Sequence, residues 1–125
     1  MISDPIADLL VRIKNAKTIN QKMIIVPYSK SKLSILSVLK KNGYVSGIKE
    51  DKENKNIEVS LDKAKPMVSI KRISKPGKRV YTKSSRIPCF FEETGIIVIS
   101  TPIGILSGEE ARKMGHGGEL ICEVR

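Results

Sequence analysis

A chain of 125 residues, 40% of them hydrophobic and 29% charged, has enough apolar mass for a packed core, as one ordinary domain or as two small modules. Its 23 Lys and Arg against 13 Asp and Glu give a formal net charge of +10, which favours a polyanionic partner: nucleic acid first, an anionic membrane surface second. No apolar run is long enough for a transmembrane helix, and the first residues lack the pattern of a secretory signal. Cys89 and Cys122 lie far apart in a chain with one His, which argues against a zinc site and a disulfide framework and suits a reducing compartment. Both cysteines read as small core hydrophobes.

In chain order, Asp4-Pro5 is a helix-start signal, and Ile6, Leu9, Leu10 and Ile13 follow as one apolar stripe. Asp8, Arg12 and Asn15 line the opposite face, with Lys14 and Lys17 close by; from this helix alone, a solvated surface is the ordinary reading. Met23-Ile24-Ile25-Val26, ended by Pro27, predicts a buried strand. Ser29 then caps a second helix with Leu33, Ile35, Leu36, Val38 and Leu39 inward and Gly43 as its stop. Lys30, Ser31 and Lys32 occupy its first turn, where lysines disfavour the helix but favour a bound phosphate. Leu9 to Lys49 holds nine basic residues and no acid, which supports the phosphate reading. Tyr44 to Lys49 and Ile57 to Leu61 read as paired strands joined by a hairpin link from Glu50 to Asn56.

A boundary at Lys63 to Pro66 gives an N-terminal α-β-α-β-β module over 1–66 and a C-terminal, mostly antiparallel β module with a short helix over 67–125. The fold class expected is α+β. Met67 to Phe91 contains seven basic residues and no acid. Its Ser74-Lys75-Pro76-Gly77 turn, followed by Lys78 and Arg79, predicts a basic hairpin joining Val68–Ile73 to Arg79–Thr82. Ser84 to Phe91 predicts a short helical turn with Ile87, Cys89 and Phe90 inward. From Glu92 onward the charge reverses, with six Glu against Arg112, Lys113 and Arg125.

Gly95 opens the apolar run Ile96-Ile97-Val98-Ile99, a buried strand that exits through Ser100 and Thr101 into a loop shaped by Pro102 and Gly104. Ser107 and Glu110 have capping-box spacing for a last helix, which Gly115 stops. Leu120-Ile121-Cys122, entered through Gly117-Gly118-Glu119, reads as a closing strand. There is no internal repeat.

The enzyme class lacks parts. Ser100 and His116 are a conceivable nucleophile and base, but there is no GxSxG elbow and every Asp precedes residue 63. No P-loop, dinucleotide fingerprint, metal-ligand cluster or cofactor signature is present, so no catalytic or metal-binding residue is assigned. A basic membrane-surface protein would need an amphipathic helix with clustered Lys and Arg, which is missing, so no membrane partner is expected. Two acid-free basic tracts and a hydroxyl-bearing loop suit structured RNA, whose shallow minor groove displays 2′-hydroxyls. An aromatic content of 4% disfavours a single-strand stacking platform.

Gly95-Ile96-Ile97-Val98-Ile99-Ser100-Thr101, Gly104-Ile105-Leu106, Ala111-Arg112, Gly117-Gly118-Glu119 and Cys122 together resemble the C-terminal signature of the small-subunit ribosomal protein S-eight family. The likeness covers essentially the whole chain. Asp4-Pro5-Ile6-Ala7-Asp8 with Arg12 and Asn15 is similar to the family's opening helix, Ser29-Lys30 with Lys32 to its second helix start, and Ser74-Lys75-Pro76-Gly77 with Arg79-Val80-Tyr81 to its central hairpin. The resemblance implies a two-part α/β protein that binds the central domain of small-subunit (sixteen-S) ribosomal RNA and helps assemble the platform. It also implies neighbours among the small-subunit proteins numbered five and twelve, binding of its own operon mRNA, and a place in the ribosome of the cytoplasm or of an organelle.

The RNA-binding residues expected are Ser100, Thr101, Pro102 and Gly104 in the loop, Ser29, Lys30 and Lys32 at the helix start, Asp4, Arg12 and Asn15 on the opening helix, and Arg79, Tyr81, Gly118 and Glu119. Of these, Lys30, Lys32, Arg12 and Arg79 are expected to hold phosphates. The chain departs from the family at Pro102, where a third hydroxyl is usual, at Ile103, where a basic residue often follows, and at its Glu123-Val124-Arg125 end, where an aromatic is common. Loop contacts should therefore be fewer and more shape-based. The alternative is a free RNA-binding translational regulator.

Overall fold

The computed structural model describes residues 4–87 and 95–125. The chain falls into two compact units, Pro5–Met67 and Val68–Arg125, with Asp4 grouped with the second. Its architecture is α+β, with three α-helices and two antiparallel sheets among the described residues.

In the N-terminal unit, helix α1 (Pro5–Thr18) buries Leu9, Leu10, Ile13 and Ala16, the i, i+1, i+4, i+7 stripe that a 3.6-residue period places on one face. Helix α2 (Lys30–Lys41) buries Ile35, Leu36, Val38 and Leu39. Between them in sequence lies β1 (Met23–Pro27), and after them β2 (Gly47–Asp51) and β3 (Asn56–Ser60), in the spatial order β1-β3-β2. The register sets Ile24 beside Val59 and Val26 beside Ile57, all four buried. Each contributes about 1.5–3 kcal/mol by leaving water.

Two expectations change here. The strand β1 is not buried but alternates, with Met23 45% and Ile25 47% exposed, because it is an edge strand with only one face on the core. Its outer edge is touched by Arg12, whose Nη2 donates to the Ile25 carbonyl at 2.9 Å. The β2–β3 link is also shorter than expected. Residues 52–55 make the turn, fastened by Asp51, which accepts from the Asn54 backbone and side-chain N–H groups at 3.2 and 2.9 Å. Tyr44 and Val45 are buried ahead of β2 rather than part of it.

The C-terminal unit contains β4 (Ile70–Arg72), β5 (Tyr81–Thr82), a 3₁₀ turn (Ser84–Arg86), β6 (Ile96–Thr101), β7 (Gly104–Ser107), α3 (Gly108–Met114) and β8 (Gly118–Val124). The sheet runs β4-β8-β6-β7, and β5 also pairs with β8. Ile87, Ile97, Ile99, Ala111 and Leu120 form a buried cluster against which Ile73, Val80 and Leu106 pack. Val98, Cys122 and Val124 are also fully buried, and burial pushes the Cys122 thiol up to about 12, so it is a protonated core group.

The predicted basic hairpin is corrected. Lys75 and Lys78 exchange two backbone hydrogen bonds of 2.9 Å around Pro76-Gly77, but the arms do not continue as a ladder. Instead β4 and β5 lie in succession along β8, because the Ile73 and Ser74 N–H groups bond the Ile121 and Leu120 carbonyls and Leu120 N–H bonds the Val80 carbonyl. A β-bulge helps: β8 has one extra residue, Ile121, opposite the Val98–Ile99 step. The strand β7 was not anticipated either, since residues 101–104 form a two-residue hairpin turn rather than a longer loop before α3. Of the helical turn expected over 84–91, the 3₁₀ segment is present; Pro88, Cys89, Phe90 and Phe91 lie outside the described residues.

Candidate nucleic-acid interface

Strand register assembles the C-terminal part of the site. Glu119 of β8 stands opposite Tyr81 of β5 on one side and Ser100 of β6 on the other. Directly opposed residues share a face, so Tyr81, Glu119 and Ser100 form one row across three strands. Tyr81 is 70% exposed and Ser100 half-buried. The close pairing of these strands is possible because residues 117 and 118 have no side chains. A Cβ on Gly118 would stand 1.9 Å from the Ser100 carbonyl oxygen, and one on Gly117 would stand 2.4 Å from that of Thr82.

Glu119 also fastens the basic turn. Its Oε2 accepts from the Ser74 hydroxyl and from Arg79 Nη1 at 3.2 Å, while Ser74 Oγ accepts the Val80 N–H at 3.2 Å. Ser74 is fully buried, so its two bonds are shielded from water, while the Arg79 end of the network reaches solvent. Sequence reasoning saw Ser74 only as a turn former; a Ser opening a Lys-Pro-Gly turn was the available signal. Arg79 is thus ion-paired, with its side chain about half exposed.

Next to the row, the β6–β7 hairpin ends in Thr101-Pro102-Ile103-Gly104. Thr101 is buried, and its hydroxyl donates to the Gly104 carbonyl at 2.7 Å, which leaves it only acceptor capacity for a ligand. Gly104 takes φ 129°, a conformation that a side chain would resist. Pro102 and Ile103 form the exposed tip. Asp4 holds a different place: its carboxylate pairs with Arg72 Nε at 3.1 Å, and Arg72 Nη1 donates to the Ile121 carbonyl at the bulge at 2.6 Å.

The remaining expected residues belong to the N-terminal unit. Ser29, at φ −155°, caps α2 by accepting the Lys32 N–H at 3.4 Å. Lys30 is exposed and Lys32 half-buried beside that helix start, where partial positive charge and open N–H groups favour an anion. Asn15 is exposed on α1, as is Arg12, although Arg12 already makes its bond to Ile25.

Among the described residues no group of three or more His, Cys, Asp or Glu is placed to hold a metal ion, and no helix is long and apolar enough to cross a membrane. His116 closes α3 through its backbone N–H to the Ala111 carbonyl at 2.9 Å.

Residues 4–125 match the family model described as Ribosomal protein S8. The chain belongs to the Ribosomal protein S8 family. Small ribosomal subunit protein uS8 of Nitratidesulfovibrio vulgaris (strain Miyazaki F) is 44% identical over 125 residues, covering 99% of both chains. The protein of the same name from Mycoplasmopsis pulmonis is 45% identical over 129 residues, covering 99% of this chain and 98% of its own. That of Clostridium novyi is 44% identical with the same coverage. The resemblance read from the sequence is therefore borne out over nearly the full length. Within this S8-family chain, Pro102 and Ile103 form the hairpin tip, and Glu123 pairs with Arg125 Nε at 2.8 Å near the end of β8.

Proposed function

We propose that this chain is a structural, non-catalytic protein of the small ribosomal subunit that binds the central domain of small-subunit (sixteen-S) ribosomal RNA directly and helps assemble the platform. The row of Tyr81, Glu119 and Ser100, with the basic turn fastened to Glu119, carries this reading. It offers an aromatic face, a hydroxyl and a fixed cation beside a narrow hairpin tip, a set suited to ribose edges and phosphates of an irregular RNA helix.

Ser100 reads, Thr101 shapes the turn and accepts, and Pro102 and Gly104 set the tip. Gly118 allows the strands to approach and Glu119 positions Arg79. Lys30 and Lys32 at the capped start of α2 hold phosphate, with Ser29 as the cap. Arg12 and Asn15 border the ligand from α1. The small-subunit proteins numbered five and twelve are its proposed neighbours, its own operon mRNA a second RNA, and the ribosome its location.

Footprinting on small-subunit ribosomal RNA tests the reading. Protection confined to one irregular helix of the central domain is expected, and protection scattered over many helices overturns it. Binding that rests on several phosphates weakens steeply with salt, log K falling by about 0.7 to 0.9 for each phosphate neutralised per tenfold change in salt.

A further inference from the structure

The N-terminal unit has a cavity of about 320 Å³ lined by four lysines, Lys17, Lys22, Lys63 and Lys65, with Asp62 the single acid in its wall. Two of these cations are held against one buried ring. Lys17 Nζ lies 5.5 Å and Lys65 Nζ 4.9 Å from the centre of Tyr44, which is 1% exposed. Lys17 also donates to the Lys65 carbonyl, and Lys65 donates to that of Asn42 at 3.3 Å. Burial lowers the Lys17 amine from 10.5 to about 8, so its charge is poorly solvated where it stands. Asn20 and Lys63, both in the wall, adopt φ of 57° and 60°. For Lys63 such a backbone costs on the order of 1 kcal/mol.

Four lysines lining one cavity with a single acid favour a multivalent anion there. We propose that this cavity binds the phosphate groups of a polyanion, with the Lys17 and Lys65 ammonium groups as the inner contacts and Lys22 and Lys63 as the outer ones. Phosphate fits better than a single carboxylate, because lysines act as point charges that several anionic oxygens can share. A free polyphosphate and a nucleic-acid backbone offer the same chemistry. None of these residues belongs to the proposed RNA reader, so either site can fail without the other.

Titration of the full ¹⁵N-labelled chain with inorganic pyrophosphate at fixed ionic strength is the test. Saturable shifts confined to residues 17–22, 42–44 and 61–66 are expected. Lys17→Gln and Lys65→Gln should each weaken binding about 10-fold, Lys17→Arg much less, and Ser100→Ala not at all. Should Lys17→Gln not fold, the exposed Lys63→Gln gives a smaller weakening on the same scale. A short oligoadenylate that displaces pyrophosphate identifies a nucleic-acid backbone as the occupant; one that does not identifies a free polyphosphate. Shifts that follow ionic strength alone, or affinity untouched by the glutamine substitutions, overturn the proposal.

Discussion

The two units carry their charge in different ways. Residues 5–67 have thirteen Lys and Arg against six Asp and Glu, and present Lys30 at a helix start and four lysines around one cavity. Residues 68–125 have ten against six, and here four of the ten cations are held in the ion pairs Arg79–Glu119, Arg72–Asp4, Arg125–Glu123 and Lys113–Glu109, while Lys75 and Lys78 stay exposed on the basic turn. What the second unit adds to its basic turn is a hydroxyl, an aromatic face and backbone, groups whose bonds depend on direction. Available ammonium groups attract any phosphate, whereas directional groups discriminate among RNA shapes. On the proposed function, one unit holds and the other reads.

The strongest way to break that division is at Gly118. Replacing it with Val drives a side chain into the Ser100 carbonyl, which cannot yield without parting β6 from β8. A stability loss of about 3 kcal/mol or more is expected by denaturant unfolding, with binding of the RNA lost by more than about 100-fold. Unchanged stability would mean that the strands are not held as described.

Glu119→Gln gives a sharper result because sign decides it. If the carboxylate merely repelled RNA, its removal would strengthen binding. As the anchor of Ser74 and Arg79, it should instead weaken binding by about 5- to 10-fold and cost about 1–2 kcal/mol of stability. Gel-shift titration and chemical denaturation on the same variant separate the two cases.

Holding and reading are compared directly by Ser100→Ala and Lys30→Ala. The first should lower affinity for the cognate RNA about 5-fold and leave a generic duplex unaffected. The second should weaken both RNAs alike and reduce the salt slope by about one unit. Equal losses on both RNAs for both variants would erase the distinction.

The smallest expected effect is in pH. The folded pKa of Lys17, about 8, lies below its ordinary 10.5, so between those values the unfolded chain binds more protons. Stability therefore rises with pH above about 8, and after solvent screening the gain stays below about 1 kcal/mol. Tyr44, raised by burial, acts with the opposite sign above about pH 10, so the useful window is pH 8 to 9.5. Thermal melts across it should rise for the native chain and run flatter for Lys17→Met.

Much of the fold was legible wherever a local rule was also the tertiary rule. The stripes of α1 and α2, the Ser29 and Ser107 caps and the buried run at 97–99 follow from periodicity and capping chemistry. What the residues could not announce were pairings set by distant strands. Met23 to Val26 is apolar enough for a buried strand, and only its edge position opens one face. The basic turn has every local mark of a hairpin, yet the seven-residue β8 captures both arms. For the site, Ser100, Tyr81 and Glu119 were visible as candidates, but the bonds of Glu119 to Ser74 and Arg79 were not, and Ser74 looked like a turn residue. Their joint role depends on a contact between residues 45 positions apart.

The bond from Arg12 to Ile25 has a consequence for how the chain behaves among its own copies. Lys22 and Tyr28 bond toward β3 from either end of β1, so the Ile25 carbonyl lies on the open side of the sheet. An exposed edge flanked by Met23 and Ile25 is a template for another strand. The guanidinium occupies an acceptor at its middle and Pro27 withholds a donor at its end, so the edge is guarded against association by a residue that also counts as a surface charge.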